Sequence, residues 1–185
     1  MTGAHVLRDG EMQQRSVSVA DGLIARGPFP EVDLSGFLIL PGIIDLHGDG
    51  FEHHMAPRPT APLPLAMGLA SFDKEAAAHG VTTAYLAQSW SWEGGHRSPD
   101  HAEFVLDALA AYRPHAITDM RVQLRAETHL VGEAQRLIDV VRRYRIDYVV
   151  FNDHLEEGFQ MSRLAPAGFA VWARKVGKTP EELAE

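Results

Sequence analysis

The sequence predicts an α/β protein: a partial β-strand subdomain over residues 1–36, then four βα units over residues 37–185. Two observations carry that prediction. Four strand-like runs of branched and apolar residues recur along residues 37–185, each ending on polar, chemistry-bearing side chains. Between them lie stretches with apolar residues at helical spacing, closed by Gly or Pro. Strand and helix in alternation is the pattern of a parallel sheet built from right-handed crossovers.

Composition narrows the function classes. The 185 residues are 45% hydrophobic and 23% charged, an ordinary globular balance. That length suits one domain with a sizeable core, whereas a closed (β/α)8 barrel takes about 250 residues. A net charge of −8 argues against nucleic acid as a partner. A polyphosphate stays within reach of a few converging arginines. With no cysteine, disulfides, thiolate metal sites and a cysteine nucleophile are excluded. No apolar run approaches the ~18 residues of a membrane span, and the first residues lack a signal-peptide pattern. The expected setting is cytoplasmic, with no membrane partner.

In chain order, residues 1–36 read as short strands. Asp9-Gly10 and Asp21-Gly22 are hairpin-type turns. The run Phe37 to Leu40, broken at Pro41-Gly42 and resumed at Ile43-Ile44, reads as a strand buried on both faces. It ends on His47-Gly48-Asp49. Residues two apart on a strand share a face, so His47 and Asp49 could grip one divalent ion. The spacing fits equally a lone core histidine beside a turn aspartate. Residues 50–62 read as a loop kept out of helix by prolines. Arg58, flanked by Pro57 and Pro59, is either a preorganised phosphate contact or a surface arginine.

Leu65 to His79 reads as a helix capped by Gly80, and Val81 to Ala87 as the next strand. The loop that follows carries Trp90 and Trp92, which could stack on a base or sugar or could seal a barrel rim. Ser98-Pro99 opens a helix running to Arg113. Over 118–127 Met120, Val122, Leu124 and Ala126 alternate with Arg121, Gln123, Arg125 and Glu127. Periodicity alone makes Glu127 a solvated edge carboxylate. Val131 to Arg145 is a helix, and Ile146 to Phe151 a strand ending on Asn152-Asp153-His154. His154 is a ligand candidate or a hydrogen-bonded loop histidine, and Asp153 could orient an imidazole. Residues 156–162 read as loop, 163–177 as helix, and Thr179-Pro180 as the start of another.

Four segments then carry a family resemblance: residues 47–52 (His-Gly-Asp-Gly-Phe-Glu) with Pro57-Arg58-Pro59, Gly80-Val81-Thr82-Thr83, Gln123 to Glu127, and Asn152-Asp153-His154. With the Leu40-Pro41-Gly42-Ile43-Ile44-Asp45-Leu46-His47 run, they resemble the amidohydrolase superfamily, and within it the diphosphatase branch of phosphonate breakdown. The resemblance implies a TIM-type (β/α)8 barrel beside a small β domain, of which this chain holds the N-terminal half, truncated after four units. It implies two divalent ions (Zn, Mn or Mg), with His47 and Asp49 on one, His154 on the other and Glu127 bridging. Asn152 and Asp153 would support them from behind. Arg58, Arg125 and Arg97 would neutralise a sugar triphosphate, with Trp92 beside it, and hydrolysis would give the 5-phosphate and pyrophosphate. Another metal-binding histidine and the catalytic aspartate would lie beyond residue 185. Asp49 departs from the usual His-x-His, which favours the phosphonate branch and the harder ions. Two alternatives stand beside this reading. One is a C–N hydrolase of a cyclic amide or N-acyl substrate. The other is an inactive half-barrel completed by its own dimer or a complementing C-terminal half.

Overall fold

The computed structural model describes residues 1–58 and 61–184, so Pro59 and Glu185 lie outside the described residues. The chain divides into two compact units, Met1–Gly42 and Ile43–Glu185.

In the first unit, β1 (His5–Arg8) and β2 (Glu11–Gln14) form an antiparallel hairpin. Asp9 and Gly10 at its tip both take positive φ, as a type I′ turn requires. A second hairpin, β3 (Ser18–Ala20) with β4 (Leu23–Ala25), turns on Asp21-Gly22 in the same way. Next comes β5 (Leu38–Ile39), which pairs in parallel with β1. The apolar run before Pro41-Gly42 therefore belongs to this unit, and the division falls after Gly42, later than the sequence-drawn boundary at residue 36. Pro41 offers no N–H to a ladder and ends the strand there.

The second unit is a parallel sheet in the order β6 (Ile43–Gly48), β7 (Val81–Trp90), β8 (Asp119–Glu127), β9 (Tyr148–Asn152). Helix α1 (Phe51–Met55) follows β6, inside the stretch expected to be loop. All the nearby prolines lie after it, so none interrupts its single turn. Helices α2 (Leu65–Ala78) and α3 (Pro99–Tyr112) connect β6 to β7 and β7 to β8. Ser98 caps α3 by accepting from the His101 N–H, with Pro99 in the first turn. Between β8 and β9 runs α4 (Ala134–Tyr144), whose last turn carries Arg142 and Arg143 where the dipole favours cations.

The main core lies between sheet and helices. Leu69, Phe72 and Ala76 of α2 and Val105, Leu106 and Leu109 of α3 meet Leu86 and Trp90 of β7 and Met120, Val122, Leu124 and Ala126 of β8. Trp90 is thus a core residue inside a strand longer than predicted, not a rim aromatic.

Strand β6 departs from the expectation of burial on both faces: Ile43, Ile44 and Leu46 are 54%, 61% and 54% exposed. Among the described residues β6 pairs only with β7, so one edge of it has no ladder partner. At the opposite edge, Phe151 of β9 is 71% exposed.

After β9 the chain forms α5 (Leu155–Leu164), α6 (Pro166–Lys175) and α7 (Pro180–Ala184). Residues 156–162 are therefore helical, not loop. Gly158 masks the helix in the sequence, because glycine disfavours helical interiors. A Cβ at Gly158 would sit 3.2 Å from the Trp172 ring, so the missing side chain is what lets α5 approach α6. Among the described residues no helix is long and apolar enough to cross a membrane.

Candidate functional site

In a parallel sheet with helical crossovers, the side chains that can meet a ligand gather beyond the C-terminal ends of the strands. His47 stands near that end of β6, Glu127 ends β8, Asn152 ends β9 and His154 lies two residues on.

On β8, Gln123 is buried and acts as a clamp. Its Nε2 donates to the Leu46 carbonyl at 2.7 Å, while its Oε1 lies 2.6 Å from His47 Nδ1. Since Oε1 can only accept, His47 Nδ1 must carry the proton. The His47 lone pair is then on Nε2, which has no hydrogen-bond partner among the described residues.

A second pair repeats this logic. Glu127 is buried, and its carboxylate accepts from the His154 backbone N–H at 3.0 Å and from His154 Nδ1 at 2.5 Å. His154 Nδ1 is the donor, and among the described residues its Nε2 has no hydrogen-bond partner. Glu127 is not the solvated edge carboxylate that alternation alone gave, because the polar face of β8 is covered as well: Gln123 on that face is also buried. Asp49 is exposed, and its backbone N–H bonds to the His47 carbonyl at 2.9 Å. Imidazole nitrogens and carboxylate oxygens are suitable donors for a divalent ion. Here they stand as two hydrogen-bonded pairs, and among the described residues no group of three His, Asp or Glu is gathered to hold a metal.

The cations divide. Arg97 Nη1 donates to both carboxylate oxygens of buried Glu93, at 3.1 and 2.9 Å, and Trp172 Nε1 reaches the same carboxylate. Its charge is compensated internally, which takes Arg97 out of the set of free phosphate contacts. Arg125, half-buried on the Gln123–Glu127 face, has a buried Nε without a hydrogen-bond partner among the described residues. Such a group favours an anionic ligand, since a buried donor left unpaired is costly. Arg58 is exposed.

Trp92 packs beside Trp172, ring centroids 6.2 Å apart, and helps line a pocket of about 680 Å³ with His129, Asp153, Phe159 and Lys178. Asp153 Oδ1 lies 3.0 Å from Nε2 of His129, away from both His47 and His154 in the hydrogen-bond pattern of the described residues. His129 is not among the site residues that the sequence predicts. Its position two residues after Glu127, at a strand's C-terminal end, was the signal available. The Asn152 carbonyl accepts from the Thr128 N–H at 2.9 Å and fixes the register of the two strand ends.

Comparison with known proteins bears on this rim. Over 156 residues the chain is 26% identical to alpha-D-ribose 1-methylphosphonate 5-triphosphate diphosphatase of Escherichia coli (strain K12). The likeness is to a hydrolase. It covers 79% of this chain and 41% of the relative, so the chain spans less than half the relative's length. No protein-family model and no solved structure matches the chain.

Proposed function

We propose that this chain carries part of the active site of a metal-dependent hydrolase acting on a phosphoric anhydride bond, with α-D-ribose 1-methylphosphonate 5-triphosphate as its substrate and the 5-phosphate and pyrophosphate as products. The observation that carries the reading is the pair of histidines, His47 and His154, each fixed through Nδ1 with Nε2 left as a donor at one rim. The Gln123 and Glu127 side chains behind them do what supporting groups do for metal-bound imidazoles, setting the tautomer and the ring direction. His47 and Asp49 would hold one divalent ion and His154 the other, with Glu127 fixing the His154 ring through Nδ1 in place of bridging the two ions. When bound, such ions supply the Lewis acidity for attack of water on a phosphoryl group. Arg125 offers its guanidinium, whose Nε is unpaired among the described residues, to the triphosphate, and Arg58 a second charge from the loop after α1. The likeness to a diphosphatase supports the same reaction class.

The test is pyrophosphate release from the ribose triphosphate by the purified protein. Release is expected with Mn, Mg or Zn, to be abolished by chelation and restored by adding the ion back. Hydrolysis of a cyclic amide such as dihydroorotate, with no pyrophosphate formed, would replace this reading with the C–N hydrolase.

The sheet edges favour an associated state. The exposed Ile43, Ile44 and Leu46 of β6 and Phe151 of β9 mark two open borders, which further strands from a second copy or a complementing C-terminal half would cover. Sedimentation equilibrium is expected to return a mass above the 20.4 kDa of one chain. A monodisperse monomer with the same melting profile at every concentration would sink this expectation.

A further inference from the structure

Another cavity opens on the helix-covered side of the sheet. Gln88 lines it, and Gln88 follows Ala87, the residue paired with Gln123, so its side chain leaves the sheet on the helical side, opposite the Gln123–Glu127 face. The cavity has a volume of about 350 Å³, within the range that encloses a small molecule. Phe51, Met55, Leu63 and Leu65 give it apolar walls.

Its polar groups have an unusual charge arrangement. Glu52 of α1 and Lys175 at the end of α6 both line it. Among the described residues neither is ion-paired, with the other or with anything else. Half-buried Glu52 and exposed Lys175, two opposite charges bordering one apolar chamber without pairing, match a ligand that carries both complementary charges and an apolar body. His96 and His101 also line the chamber. Burial pushes both below the ordinary histidine value, for His96 against the pull of Glu52, which disfavours their charged forms.

We propose that this cavity is a binding site for a free apolar α-amino acid, with Lys175 taking the carboxylate, Glu52 the ammonium group and the Phe51–Met55–Leu63–Leu65 walls the side chain. The site stands on its own residues and does not depend on the hydrolase reading.

The experiment is calorimetric titration of the full chain with L-phenylalanine and, separately, with its two one-charge analogues, phenethylamine and 3-phenylpropionate. L-Phenylalanine is expected to bind saturably and about tenfold tighter than either analogue, since each lacks one charge-assisted contact. Glu52→Gln is expected to erase the preference over 3-phenylpropionate, and Lys175→Met the preference over phenethylamine. Leu63→Trp, at a partly exposed wall position, is expected to block all three while the far-ultraviolet circular dichroism stays unchanged. Equal affinity for all three ligands, unchanged affinity in Leu63→Trp, or no heat from L-phenylalanine with protein whose dichroism shows it folded would each overturn the assignment.

Discussion

Glu127→Gln is expected to lower metal-dependent pyrophosphate release on the order of 10³-fold, the kinetic equivalent of losing several kcal/mol of transition-state stabilisation. The substitution keeps the shape of the side chain and removes its charge. In the native protein both carboxylate oxygens face His154: one accepts its backbone N–H at 3.0 Å, the other its Nδ1 at 2.5 Å. An amide can still accept one of these bonds, but its NH2 must then point at the second donor. His154 is expected to answer by shifting its proton to Nε2, which withdraws the lone pair that the rim presents. The change therefore acts through the imidazole that Glu127 orients, and it removes the negative charge behind that ring. Imidazole nitrogen shifts in ¹⁵N NMR report the tautomer directly and separate this from unfolding. If release stays within about threefold of the native protein, an energy below about 1 kcal/mol, Glu127 has no place in the site.

The same residue shows which parts of the site were legible in the sequence. Alternation over 119–127 correctly set Met120, Val122, Leu124 and Ala126 on one face, but it assigned the other face to solvent. Periodicity reports that two faces differ; it does not report what covers each. Gln123 is the clearest case, since its two partners, Leu46 and His47, lie 77 and 76 residues back in the chain. No local pattern encodes that distance. Pairings within a few residues were within reach of sequence reasoning: the Ser98 cap on α3, the Asp-Gly hairpin turns, and the spacing of Glu93 and Arg97. The i,i+4 spacing of Glu93 and Arg97 fits an ion pair as well as it fits a phosphate contact, and the structure has the pair.

Helix α5 was missed for a related reason. Gly158 lowers the local propensity, and the compensation comes from contacts with Trp172 and Trp92 that only the folded chain supplies. Trp90 and Trp92, two apart in the sequence, part company in the same way. Trp90 completes β7 and enters the helical core, with the Arg136 guanidinium 5.5 Å from its ring, whereas Trp92 belongs with Trp172 at the rim. Strand ends are set by where the ladder partner stops, and β8 carries β7 as far as Trp90.

Asp73→Ala is expected to be the most destabilising single substitution outside the hydrophobic core. Asp73 sits on the buried face of α2, and its carboxylate collects four hydrogen bonds from the start of β8 and the end of α3. Oδ1 accepts the Thr118 N–H at 2.9 Å and the Thr118 hydroxyl at 2.6 Å, while Oδ2 accepts the Ile117 N–H at 2.8 Å and the Tyr112 hydroxyl at 3.1 Å. Alanine leaves those donors facing a cavity. At about 1–3 kcal/mol for each buried donor without a partner, and with water reaching some of them, the loss should be about 3–5 kcal/mol, read as a melting temperature lower by about 10 °C. The pH dependence has a definite sign. Burial raises the Asp73 pKa, and the bonds from Thr118, Ile117 and Tyr112 outweigh it, so the folded value lies below the ordinary 3.8. A depressed carboxyl contributes stability that is complete above the unfolded value and is lost as pH falls through the folded one. The native protein should therefore lose part of its stability below pH 3.8, and Asp73→Asn, which cannot ionise, should lose less over the same interval. A chemical-denaturation series from pH 6 down to pH 2.5 measures both. Parallel curves for the native protein and the asparagine variant would mean that the charge contributes nothing and that the four hydrogen bonds hold the α2–β8 junction by geometry alone.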